Sequence, residues 1–146
     1  MAYPTAARPD LGTGPAYSQL RWATGLFAVA LLIHGADHLR RGMDTISSTV
    51  MALGTVQSVL AVVTIVLVFT GHRWAAAAAI AVGFVSAAGF TLVHLFPDWF
   101  GPLSDSFINP PASAKVNGFS WFAAVFEIIA DLLIGTAGLR ARRAIA

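Results

Sequence analysis

The chain has 146 residues, 57% of them hydrophobic and only 11% charged, with a mean hydropathy of +0.73. A soluble domain carries about 25% charged residues, so too few are present to cover a water-facing surface, and the composition is that of a membrane protein. The formal charge of +2 comes from basic residues scattered at the ends of apolar runs, which argues against a nucleic-acid surface; the lack of cysteine excludes disulfides, thiolate metal sites and a cysteine nucleophile.

Residues 1–17, with Pro4, Gly12, Gly14 and Pro15, show no periodicity and read as a flexible tail ahead of one transmembrane domain over 18–146. The first helix is expected at about 19–41, with Ser18 as its N-cap and Gly42 at its end. A small-x-small site, Ala28-Val29-Ala30, lies inside the apolar run and is followed by a polar cluster, which argues against a cleaved signal peptide. A membrane crossing takes about 20 residues. The uncharged stretch between Arg21 and Asp37 is shorter than that, so this helix carries His34-Gly35-Ala36-Asp37-His38 into the membrane. His34 and His38 share one helical face, with Asp37 on its flank. Ionisable groups at such depth face the interior of a bundle.

The second helix, about 46–70, has Asp44 or Thr45 as its expected cap and no charge before Arg73; it carries Gln57 and Ser58. The short link makes helices one and two an antiparallel hairpin. The third, about 74–96, contains Ala75 to Ala79, Gly83, Ser86, Ala87 and Gly89, small residues that allow close approach in lipid and suggest a central helix. It carries His94 near its end and is closed by Pro97-Asp98. The connection over 98–117 is rich in Pro, Gly and Ser and also holds Trp99, Phe100, Phe107 and Ile108; it reads equally as a lid or as a surface loop anchored at the interface. The fourth helix, about 118–140, contains Glu127 and Asp131 in mid-span and ends in Arg140, Arg142 and Arg143. The fold expected is all-α: an integral membrane four-helix transmembrane bundle, up-down-up-down.

Arg8, Arg21, Arg73, Arg140, Arg142 and Arg143 fall on one side of such a bundle, against Arg40, Arg41 and Lys115 on the other. The positive-inside rule then places a multi-pass protein in the cell membrane with both termini cytoplasmic. At about 1.5 Å per residue, His34, His38, His94 and Glu127 converge in the outer half, Asp131 lies one turn deeper, and Gln57 sits near their level. Two ionised carboxylates one turn apart repel in a low dielectric, so Glu127 and Asp131 call for a proton or a cation.

Without thiolates, a metal here is bound by imidazole and carboxylate, which suits Zn, Cu or Fe. The expected ligands are His34, His38, His94 and Glu127, with Asp37, Asp131 and Gln57 as supporting partners or proton-relay groups. Haem between two of the histidines is the weaker reading, because the nearby carboxylates argue against it. The His-x-x-x-His spacing alone identifies no enzyme: Gly35 stands where the zinc-protease motif has Glu, and the repeated His boxes of membrane di-iron oxygenases are absent. Proton- or cation-coupled transport, or an accessory subunit using Glu127 and Asp131, is the rival reading; a membrane enzyme acting on a lipid or quinone is the third, so enzymatic activity stays undecided. The expected partners are membrane lipid and a homo-oligomer or larger membrane complex, with no nucleic acid. The plainest alternative has His38, Arg40 and Arg41 snorkelling to water and His94 as a helix-end residue. His72, in a turn, has no assigned role.

Overall fold

The structure, a computed structural model, describes residues 14–144. The tail expected over 1–17 falls outside the described residues except at its end, which is already structured. Helix α1 spans Pro15–Arg41, α2 Ser48–Phe69, α3 Ala75–Phe90 and α4 Gly118–Arg143. Each is long and apolar enough to cross a membrane, α3 when counted through the π-helical turn Thr91–Leu95 that continues it.

Local chemistry explains where the helices start. Pro15 occupies the first turn of α1 behind Gly14, whose carbonyl accepts from the N–H groups of Tyr17 and Ser18 at 3.0 Å. A proline fits there because its missing N–H would go unpaired anyway, so α1 begins ahead of the expected cap, Ser18. Gly42 ends the helix at φ 97°, a backbone conformation suited to glycine. Asp44 and Thr45 do not cap α2. They lie in a tight turn, Met43–Thr45, and Ser47 accepts from the Val50 N–H at 3.1 Å instead. Helix α4 opens with a reciprocal cap in which Asn117 Oδ1 accepts from the N–H of Phe119 and Ser120, and Ser120 Oγ accepts from the N–H of Asn117.

Contacts at the helix ends show the up-down-up-down arrangement. The Tyr17 hydroxyl donates to the Val68 carbonyl at 2.6 Å, joining the start of α1 to the end of α2. At the opposite end, Arg40 donates to Ser120 Oγ and to the Lys115 carbonyl, joining the end of α1 to the start of α4. Helices α3 and α4 run antiparallel in close contact. A Cβ on Gly83 would lie 2.6 Å from the Asp131 carbonyl oxygen and 2.7 Å from the Gly135 nitrogen, and one on Gly138 would lie 3.0 Å from the Ala76 carbonyl oxygen. The small residues of α3 therefore serve this seam, but α4 is the central helix. Half of its most apolar stretch (50%) is buried, against 22%, 17% and 22% in α1, α2 and α3. Helix α2 is peripheral, with Val56, Val59, Val63 and Val66 exposed in the way a lipid-facing surface requires.

The interior divides into two halves. Toward the ends of the bundle that carry Leu20, Val68, Ala75 and Ala141, an apolar core closes around Phe27, Ala30, Ala79 and Ile134. Toward the other end the buried side chains are mostly polar: His34, Asp37, Arg41, His94, Asp105 and Ser120. Glu127 and Asp131 lie between the two.

Candidate metal centre

His34 and His38 face inward from α1 one turn apart, their ring centroids 4.6 Å from each other. His94 comes to them from the π-helical turn that ends the third span, with its ring 5.1 Å from that of His34 and 6.0 Å from that of His38. A π turn is wider than an α turn and is a common device for re-aiming a side chain at a functional site. Each of the three residues offers a ligand atom, and these atoms all lie within 4.8 Å of one another. Nitrogens around a tetrahedral zinc, at about 2.0–2.1 Å from the metal, stand roughly 3.3 Å apart. Small side-chain rotations would close that difference around an ion.

The surroundings are largely buried and aromatic. Phe90 packs edge-on against the His34 ring at 4.7 Å, and Phe107 lies 4.6 Å from the ring of His94. Both ring nitrogens of His34 and Nδ1 of His38 are buried without a hydrogen-bond partner among the described residues. Buried polar atoms normally find partners, and the exceptions call for an explanation such as an ion. His94 differs. Its Nδ1 lies 3.0 Å from the backbone carbonyl oxygen of Asp105, while its own carbonyl accepts from the Phe107 N–H at 2.9 Å.

No protein-family model, curated protein or solved structure matches the chain.

The other expected site residues are distributed differently. Glu127 lies outside the group of ligand atoms that share the 4.8 Å distance, so the structure brings together three histidines without it. It is fully buried one turn from Asp131, also fully buried, and all four carboxylate oxygens lack a partner among the described residues. Asp37 is buried, but its carboxylate is engaged by Arg40 at 2.8 and 3.0 Å and by Ser120 at 3.1 Å, where it ties α1 to α4. Gln57 donates to Ser86 Oγ at 3.3 Å, linking α2 to α3. His72 accepts from the Trp74 N–H at 3.3 Å and is exposed.

Two residues important to the site carry no such signal in the sequence. Arg41 does not snorkel; it is fully buried and meets Asp105 through two hydrogen bonds, at 2.7 and 2.5 Å. Its Nε donates to the Ala114 carbonyl at 2.8 Å, and its guanidinium lies over the Phe107 ring at 5.2 Å. The connection between α3 and α4 is thus bound to the end of α1, directly over the histidines. Asp105 and Phe107 stand in the sequence as one acidic and one aromatic residue among several in that connection, which also holds Asp98, Trp99, Phe100 and Ile108.

Proposed function

We propose that the protein binds a transition-metal ion within the membrane through His34, His38 and His94. The observation that supports this most directly is the convergence of the three imidazoles, with three ring nitrogens of His34 and His38 buried and without a partner among the described residues. An all-imidazole donor set suits Zn, Cu or Fe. The close packing of Phe90 and Phe107 on the rings favours a bare ion over haem, which needs a flat slot between its axial ligands. Three protein ligands leave a coordination position for water or a substrate, as catalytic zinc sites do. Charge distribution supports a cell-membrane protein with both termini in the cytoplasm and the histidines in the outer half.

The test is elemental analysis and an optical spectrum of protein purified without an affinity tag, followed by titration of the stripped protein with zinc or cobalt. About one ion per chain is expected in the wild type, with a loss in His34→Ala, His38→Ala and His94→Ala. A wild type that neither contains nor takes up metal would refute the reading.

A second reading rests on a separate observation, the four carboxylate oxygens of Glu127 and Asp131, which have no partner among the described residues. Uncompensated charge at that depth is costly, so a pair of this kind suits a proton or cation relay in a transporter or accessory subunit.

A further inference from the structure

We propose that Asp105 and Arg41 are positioning residues for His94, fixing which of its ring nitrogens carries the proton and so leaving Nε2 as the nitrogen able to take an ion. A carbonyl oxygen can only accept. The Asp105 carbonyl, 3.0 Å from His94 Nδ1, therefore requires a proton on Nδ1. In a neutral imidazole the other nitrogen is then bare, which is the usual way in which a ligand histidine is prepared.

The carbonyl that sets this tautomer belongs to a connecting segment, and a loop by itself is a poor fixture. Here it is held from several directions. The Asp105 N–H donates to the Val93 carbonyl at 3.1 Å, and the Phe107 N–H donates to the His94 carbonyl at 2.9 Å, so the segment pairs with the turn on both sides of the ring. The Asp105 carboxylate takes the fork of Arg41 at 2.7 and 2.5 Å, and Arg41 Nε holds the far end of the same segment at Ala114. The carboxylate does not bond to the ring itself; its nearer oxygen is 3.6 Å from Nδ1. Its action on His94 is therefore indirect, through the position of its own backbone. A buried ion pair is a poor source of stability compared with apolar packing. A planar, two-pronged contact does fix direction, and lysine cannot reproduce it.

The positioning claim is tested without metal; only its affinity arm rests on the metal reading. The full chain, labelled with nitrogen-15 at histidine and stripped of metal in detergent, is compared by NMR with Arg41→Lys and Asp105→Asn, with His94→Gln used to assign the signals. The wild type should show His94 protonated at Nδ1 only. Arg41→Lys should add an Nε2-protonated fraction for His94 and leave His72 unchanged. In zinc titrations, both variants should bind about 10–100-fold more weakly at unchanged stoichiometry, the range found when the partner of a ligand is removed. Wild-type His94 protonated at Nε2, or Arg41→Lys with tautomer and affinity both unaltered, would overturn the proposal. If a variant fails to fold, the wild-type tautomer decides. If the wild type takes up no zinc while the tautomer shifts as expected, positioning stands and the metal reading alone fails.

Discussion

Arg41 and Asp105 form a doubly hydrogen-bonded ion pair, at 2.7 and 2.5 Å, in which neither side chain is more than marginally exposed. Removing one member of a buried pair leaves the other charge without compensation, at a cost of about 3–5 kcal/mol. Arg41→Leu and Asp105→Leu should each lower the thermal stability of the detergent-solubilised protein by that order. The double variant should lose clearly less than the sum. Additive losses in a double-mutant cycle would contradict the pairing.

The three histidines should behave as a set. Substituting any one by Ala should weaken zinc or cobalt binding by more than the roughly 10–100-fold expected for an outer partner, whereas His72→Ala should leave it unaltered. Asp37→Asn should reduce stability, since Asp37 ties Arg40 to Ser120 across α1 and α4, without changing metal stoichiometry. Metal titration beside a melting curve separates these outcomes. Full affinity in His94→Ala would show that the rings do not act together.

Glu127 and Asp131 give the opposite expectation. Glu127→Gln and Asp131→Asn keep hydrogen-bonding capacity while removing the cost of a buried charge. Both variants should be as stable as the wild type or more so, and both should retain metal. Loss of metal from Glu127→Gln would bring this carboxylate back into the ligand set.

At the α3–α4 seam, a methyl group on Gly83 would meet backbone atoms of α4 at 2.6 and 2.7 Å, which cannot move aside as a flexible side chain can. Gly83→Ala should cost about 1–3 kcal/mol, as overpacking does. Gly89→Ala, on the same helix, meets nothing within 4 Å and should be neutral or stabilising by up to about 1 kcal/mol. Melting temperatures of the two variants test the contrast. Equal effects would mean that the helices are not in close contact at Gly83.

Orientation is tested independently. A reporter fused after the last residue should respond as cytoplasmic, and one inserted near Ser106 as external. The reverse pattern would turn the bundle over and put the histidines on the cytoplasmic side.

How much of this could be read from the sequence depended on how local each signal was. A long apolar run announces a span by itself, so all four helices were legible, with ends displaced by a few residues. Pro15 starts α1 early, and Ser47 caps α2 because Thr45 closes a turn on Gly42. His34 and His38 were legible from their spacing, and His94 from its depth, because a rise of about 1.5 Å per residue holds across any bundle. The Arg41–Asp105 pair was not legible, since it joins residues 64 positions apart along a path set by an irregular segment. The central place of α4 is not legible for another reason: its Ala123, Ala124, Ala130, Gly135, Ala137 and Gly138 are as small as the residues of α3, so small-residue content does not separate the two helices.

The apolar half of the interior makes the histidine cluster a dead end. Leu20, Phe27, Ala30, Ala61, Val68, Ala79 and Ile134 are fully buried and fill the bundle from the level of the carboxylates to the end where α1 begins. While Phe27 and Ile134 keep their places, an ion or small molecule that reaches His34 leaves by the way it entered. Passage through a single copy would require this half to repack, and close-packed interiors resist that. Binding and release at the histidines on one face of the membrane need no such rearrangement.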